Sequence, residues 1–444
     1  MSRHSGRGFA APRYTQTLQQ AMRAHQAGEL EHAEGLYRRV LTMRVGQPDA
    51  MHYLGVLLHQ RGHSDAAVKL VGDALRVTPQ HADAHSNLGN IHKECGRIEQ
   101  AEACYRQALR LVATHPQALG NLAIALEAQQ RIDEARDAYR HWLDRHPGES
   151  RAHYHFGRFL CSHARERSDI EDAVECFRTA HRLDNTNLRA LESLGIALYS
   201  IGGIDAAAQV YRDWAALDPA DPIPRHMLAA CGAAEAPARA GDDYVRELFD
   251  RFASSFDEQL LGRLGYRAPQ ALIEALGDGG EALDVLDAGC GTGLCGPLLR
   301  ERARTLVGVD LSERMLEQAR RRGCYDELSA AELTAHLRAH AQTYDLVVCA
   351  DTLIYFGELD TVLDATHRAL RPGGRFAFSL EALRDSQAPR FALTPAGRYQ
   401  HSREYAQQCM AAAGFVDAQI TEQSLRKEAG KWVDGWVVLA QRPH

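Results

Sequence analysis

Two hydrophobic rhythms divide this chain. Over residues 15–219 apolar and small positions recur with helical spacing and then repeat as a block. Leu54-Gly55, Leu88-Gly89, Leu122-Ala123, Phe156-Gly157 and Leu194-Gly195 mark one helix of each block. Ala33, Ala67, Ala101, Ala135, Ala173 and Ala207 mark the next, spaced by 34 residues except for one gap of 38. Small residues at fixed places let two helices cross closely, and larger ones fill the holes. The pattern predicts six helix pairs, with the extra length of the fifth near Cys161–Ser168 and a lone capping helix over Pro222–Cys231. From residue 241 the rhythm changes. Short apolar runs of strand length alternate with amphipathic helices, which predicts an α/β sheet. Strands are expected to end at Leu286 and to cover Thr305–Val309, Asp326–Ala331, Asp345–Ala350, Arg375–Leu380, Phe415–Ile420 and Gly435–Ala440. Helices are expected over Asp242–Leu261, Gly296–Arg304, Ser312–Arg322, Leu359–Leu370 and Tyr405–Ala413. The segment Glu381–Ser402 is irregular, and a long loop in a compact domain is usually functional.

The first predicted strand runs into Asp287 and then Gly289, Gly291 and Gly293. Strand, glycine turn and helix is the layout of a nucleotide-type cofactor site, because glycine lets backbone approach a ligand. The spacing is neither that of a dinucleotide fingerprint nor that of a P-loop. Asp310 ends the second strand, where an acid can accept from both ribose hydroxyls.

The line LDAGCGTG resembles motif I of the class I S-adenosylmethionine (SAM) methyltransferases, and the 34-residue period resembles the tetratricopeptide (TPR) repeat. With the helix Tyr244–Asp257, the Arg371-Pro372-Gly373-Gly374 signature and the late Gly397–Ser402 segment, the chain is similar to bacterial TPR-containing methyltransferases. The resemblance implies an α-helical TPR solenoid followed by a Rossmann-like, seven-stranded α/β domain. The expected boundaries are a flexible N-terminus at 1–14, repeats over 15–231, a linker at 232–240 and a methyltransferase domain over 241–444. It implies SAM as cofactor, held by Asp287, Gly289, Cys290, Gly291, Gly293, Asp310, Leu311, Met315, Glu332, Asp351, Tyr266 and Arg267. In that reading Glu332 accepts from the adenine amino group and Arg267 reaches the cofactor's carboxylate. His401, Tyr399, Asp351 and Tyr355 are the expected catalytic groups, His401 as a base at neutral pH. Arg398 and Arg390, with Arg384 beside them, could clamp an anionic substrate.

In TPR geometry the residue before each Leu-Gly pair faces the groove. Those residues are Tyr53, Asn87, Asn121, His155 and Ser193. Successive asparagines offer donor and acceptor to a peptide backbone, so a peptide or protein is the expected partner of the concave face. Two functions remain open: methylation of a recruited peptide or protein, or methylation of a small molecule with the repeats serving assembly.

Composition narrows the field. A net charge of −7 carries no basic surplus, which argues against nucleic acid. No apolar run suggests a membrane span. The ten cysteines contain no C-x-x-C pair, as expected for free thiols in a reducing cytoplasm. The histidines carry no metal-binding spacing: His153 and His155 do not share a helix face, and His81 falls in a turn. No metal is expected. Oligomeric state has no signature in the sequence.

Overall fold

The computed structural model describes residues 13–253, 256–257, 260, 265–277, 282–384, 390–428 and 431–444. Most of the expected N-terminal tail, parts of the expected Asp242–Leu261 helix and five residues of the 381–402 loop lie outside these. The chain separates into two compact units, Met1–Ala197 and Leu198–His444.

Helices pair in sequence: α1 (Arg13–Gln26) with α2 (Leu30–Met43), α3 (Pro48–Gln60) with α4 (Ser64–Val77), α5 (Ala82–Glu94) with α6 (Ile98–Leu111), and α7 (Pro116–Ala128) with α8 (Ile132–Arg145). Then follow α9 (Ser150–Ser162) with α10 (Arg167–Leu183), and in chain order α11 (Leu188–Ser200), α12 (Ile204–Leu217) and α13 (Pro222–Ala230). The six marker alanines are all fully buried. The Leu-Gly glycines sit where a neighbour presses in: a Cβ on Gly89 would lie 2.5 Å from the Tyr105 ring. The extra length of the fifth repeat goes mostly into its second helix, which has 17 residues where α8 has 14. Two histidines act as caps between repeats. The His81 and His115 rings accept from the backbone amides of Ala84 and Ala118, both at 3.2 Å. The far nitrogen of His115 reaches Asp83 of the preceding repeat at 3.0 Å.

The second unit holds α11's last turn, α12, α13 and the sheet domain. Helix α14 (Asp242–Phe252) and α15 (Ala268–Leu276) precede β1 (Leu283–Ala288). Then come α16 (Gly296–Arg300), β2 (Ala303–Asp310), α17 (Glu313–Arg322), β3 (Glu327–Ala330), α18 (Leu333–Ala339), β4 (Tyr344–Cys349), α19 (Asp360–Ala369) and β5 (Leu370–Ala382). A short hairpin, β6 (Phe391–Leu393) and β7 (Tyr399–His401), leads to α20 (Arg403–Ala412), β8 (Val416–Glu428) and β9 (Lys431–Gln441). Strands β3-β2-β1-β4-β5 are parallel, β9 joins β5 antiparallel and β8 pairs with β9. The strands bury both faces in alternation: Leu286 and Val347 pack on one side, Val285, Leu346 and Val348 on the other. That is why they read as continuous apolar runs.

Three expectations change here. The 381–402 segment is not wholly irregular: β7 adds to the end of β5, Glu381 opposite Gln400, so the sheet has nine strands among the described residues where seven were expected. The helix after the glycine turn is five residues long and stops at Arg300. Residues 237–240, expected as linker, are strapped to the end of the sheet. The Ala238 carbonyl accepts from the amides of Gly357 and Glu358 (2.9 and 2.8 Å), and the Ala240 amide donates to the Tyr355 carbonyl (2.8 Å).

Candidate active site

The strand order reverses between β1 and β4, and the crevice beyond their carboxyl ends is where open α/β sheets bind ligands. A cavity of about 240 Å³ occupies this place. Its floor is the turn after β1. Gly289 (φ +74) lies under Thr352, whose Oγ1 would be 2.1 Å from an added Cβ. Gly291 (φ +54) is different: a Cβ there would meet no protein atom within 4 Å, and the residue lines the cavity. The turn is held by Asp310, whose carboxylate accepts from the amides of Gly291 and Ser312, each at 2.9 Å. Burial pushes the Asp310 carboxyl above its usual range. Cys290, Leu311 and Tyr266 line the same space. Glu332 also lines it, but its two oxygens cap α18 through the amides of Thr334 (2.9 Å) and Ala335 (2.7 Å).

The opposite wall comes from the end of β4. Asp351 has φ +52, a strained conformation for a non-glycine residue. It is fixed there by Arg426 (2.6 Å) and by an exchange with Ser379, whose Oγ accepts from the Asp351 amide and donates to its carboxylate. Tyr355 follows, its phenol pushed up to about 12 by burial. Phe249 of α14 and Phe256 cover the cavity, and the Phe249 ring meets Tyr355 edge-on at 5.6 Å. Arg398, carried by the β6–β7 hairpin, Arg426 and Glu428 complete this side.

Several expected residues lie elsewhere. His401 is fully buried on β7, outside the cavity lining, with Nε2 3.2 Å from the Gly357 carbonyl. Burial lowers its pKa to about 4, so the ring is neutral, and its place in the core keeps it away from an acceptor in the cavity. Tyr399 is likewise fully buried, donating to the Pro237 carbonyl at 2.6 Å. Asp287 sits beneath the turn, outside the lining, and accepts from the Tyr325 hydroxyl at 2.6 Å. Burial raises its pKa to about 7, against that hydrogen bond and with the help of Asp310. Gly293 faces Tyr325 and Met315 is fully buried, neither in the lining. Arg267 lies over the Trp432 ring at 4.5 Å, and it too is outside the lining. Arg390 lines a separate depression with Arg384, and Arg384 pairs with Glu422 and Asp434.

The repeat positions are also engaged internally. The Asn87 amide nitrogen is 2.9 Å from a His52 ring nitrogen, and Asn121 donates to Asn90 at 2.8 Å. The amide nitrogens of both carboxamides thus join neighbouring repeats. Tyr53 stacks on Tyr37 and meets the His52 ring at a tilt, 4.5 Å between centroids. His155 lies between Trp142 and Tyr154, and burial lowers its pKa to about 4.

Residues 285–374 match the model of a methyltransferase domain, and 80–147 and 162–222 match models of the tetratricopeptide repeat. The chain carries tetratricopeptide repeats and a methyltransferase domain. The domain implies SAM as its cofactor. The chain is 32% identical over 142 residues to the malonyl-[acyl-carrier protein] O-methyltransferase of Salmonella typhimurium, covering 32% of this chain and 55% of that one. It is 31% identical over 121 residues to the ubiquinone biosynthesis O-methyltransferase of Idiomarina loihiensis, covering 26% and 47%. The chain thus spans about half the length of the curated relatives it matches. Among solved structures, a SAM-dependent methyltransferase of Thermotoga maritima, a possible histamine N-methyltransferase, aligns with a TM-score of 0.35 at 20% identity, covering 45% of this chain and 99% of that one. The pilF protein of Pseudomonas aeruginosa aligns with a TM-score of 0.42 at 18% identity, covering 47% and 92%.

The cavity suits that cofactor. Gly291 leaves room where any side chain would intrude, and Asp310 and Glu332 are acceptors spaced along one wall of the methyltransferase domain. Arg426 and Glu428 were missed because the strand expected over Phe415–Ile420 runs on to Glu428, which puts these two residues, two apart, on one face.

Proposed function

We propose that the protein is a SAM-dependent methyltransferase acting in the cytoplasm, with its repeats docking a protein partner. The observation that carries this reading is the bare backbone of Gly291 facing a cavity bounded by Asp310. SAM supplies a methyl group already activated on a sulfonium. The protein's part is therefore to position and to exclude water. Gly291 allows close backbone approach and Gly289 makes room for Thr352 beneath the turn, Asp310 accepts hydrogen bonds from the ribose side, and Glu332 keeps spare acceptor capacity beside its capping bonds. Asp351, held in its strained conformation by Arg426, fixes the edge at which an acceptor enters. Phe249 and Tyr355 close the site from water.

A small acceptor fits this geometry better than a peptide delivered by the solenoid, because Asn87 and Asn121 are already paired within the repeats. The curated relatives quoted above are named as O-methyltransferases, which agrees. The test is calorimetry of the full chain with SAM and S-adenosylhomocysteine. Tight binding of both, abolished by Gly291→Val, supports the reading; no binding to the unaltered protein overturns it.

A further inference from the structure

Five charged side chains meet on one side of the cavity. Arg426 is at the centre, 4% exposed, and donates to Asp351 at 2.6 Å, to Glu381, and to Glu428 at 3.0 Å. Arg398 donates through Nε to Glu381 at 2.6 Å and through Nη2 to Glu428. One oxygen of Glu428, Oε1, accepts from both guanidinium groups.

The three carboxylates are not equivalent. The Glu381 side chain is 3% exposed and Asp351 13%, and both stand on the ends of parallel strands. Glu428 is 36% exposed, at the end of β8. Although burial alone would raise it, Arg398 and Arg426 hold its carboxyl below the usual range. Asp351 and Glu381 already balance the two arginines, so Glu428 is the surplus charge. It has solvent to move into, while of the arginines it would leave Arg426 is buried and Arg398 half-buried, and both line the cavity.

We propose that Glu428 occupies the seat of the acceptor's carboxylate: the methyl acceptor is a carboxylic acid with an apolar body, whose carboxylate replaces Glu428 on Arg398 and Arg426. The inference rests on the methyltransferase reading above. Exchange of one carboxylate for another leaves the charge of the cluster unchanged. The apolar body fits the neighbouring wall of Phe249, Phe256 and Ile354.

The chemistry agrees. Among the described residues of the lining there is no histidine and no lysine, Tyr355 is un-ionised at neutral pH, and Asp310, Glu332 and Asp351 already accept hydrogen bonds. A carboxylate nucleophile needs no base. Its oxygen forms the new C–O bond as the methyl C–S bond breaks, the electron pair stays on sulfur as a thioether, and no proton is released. The product ester is neutral, so it loses its hold on the arginines and Glu428 can return.

The test uses the full-length protein saturated with S-adenosylhomocysteine and titrated with hexanoate in a calorimeter. Glu428→Gln should tighten hexanoate by about fivefold or more, since no internal carboxylate has to be displaced. Methyl hexanoate should gain nothing, and adding Arg398→Gln should abolish the gain. Equal hexanoate affinity in both proteins, or an equal gain for the ester, overturns the proposal. The cofactor's own carboxylate is the other source of such a group. If Glu428→Gln instead tightens S-adenosylhomocysteine but not 5′-methylthioadenosine, which lacks that carboxylate, the arginines hold the cofactor and the acceptor assignment falls. Failure of S-adenosylhomocysteine to bind the unaltered protein overturns the cofactor reading itself, and this inference with it.

Discussion

His226 and Gly397, 171 residues apart, share a hydrogen bond of 2.9 Å between the imidazole Nε2 and the glycine carbonyl. The same ring stacks on Tyr244 with centroids 3.8 Å apart. Gly397 precedes Arg398, so the last helix of the repeat series, α13, holds the hairpin that carries a cavity arginine. Burial keeps His226 below its usual pKa, hence neutral and able to donate from Nε2. His226→Ala should cost about 1–3 kcal/mol by leaving the Gly397 carbonyl unpaired. Thermal melts read that loss. Acceptor KM should rise while SAM affinity, read by calorimetry, holds.

The two glycines of the turn should fail differently. Gly289→Ala drives a Cβ into Thr352 and should lower the melting temperature. Gly291→Val meets no protein atom in the way its Cβ points, so its main effect should be loss of SAM binding, with only the strain of its positive φ, on the order of 1 kcal/mol, taken from stability. Equal melting losses in both variants would remove the distinction between them.

Asp310→Ala should weaken SAM binding by roughly 1.5–3 kcal/mol, the range for hydrogen bonds to a charged group. Asp310→Asn keeps an acceptor for one of the two turn amides and should lose less. Calorimetry on the pair separates the acid's effect on the ligand from its effect on the turn.

His401→Ala should lose stability and activity together, not turnover alone. Its ring packs near Phe391 and Tyr405 and its carbonyl accepts from the Trp436 indole at 2.8 Å. With a folded pKa near 4 against about 6.5 unfolded, its stabilisation is complete above pH 6.5 and is lost as pH falls toward 4. Melts from pH 7 to 4 should therefore show a steeper decline in the unaltered protein than in the variant.

Asp287 gives the opposite pH signature. Its folded pKa, near 7, lies above the usual carboxylate value, so the folded state favours the protonated form. Stability should fall as pH rises from about 4 to 7, by a few kcal/mol at most. Asp287→Asn, which keeps an acceptor for Tyr325, should be free of that decline, and melts across this range check it.

The repeat period, the succession of strands and helices along the second half and the glycine turn with Asp310 were legible because each is written as local spacing. The repeat alanines and the apolar strand runs are buried for the reasons their rhythm implied. What the sequence concealed was direction. His401 and Tyr399 stand in a short strand whose side chains turn into the core, while Arg398 between Gly397 and Tyr399 turns to the cavity. Nothing in a Gly-Arg-Tyr-Gln-His run states which of its residues face inward until its pairing with β5 is known. Asn87 and Asn121 occupy the expected register, yet their partners His52 and Asn90 come from repeat packing that a single period does not reveal. Arg426 was hidden because β8 runs eight residues beyond the expected end at Ile420.

The division between Ala197 and Leu198 bears on how such a chain can change over generations. Every described residue lining the cavity falls between Arg239 and Glu428. Duplication or deletion of a 34-residue block upstream of 197 would alter the reach of the solenoid and leave this catalytic half untouched. A gene fusion joined at residue 241 would not be so benign: it would discard Arg239 and Ala240 from the cavity, the Pro237 partner of Tyr399 and the His226 partner of Gly397. The heritable module of methyl transfer thus starts within the repeat series, and lineages could vary the number of repeats more freely than they could exchange the enzyme at its apparent border.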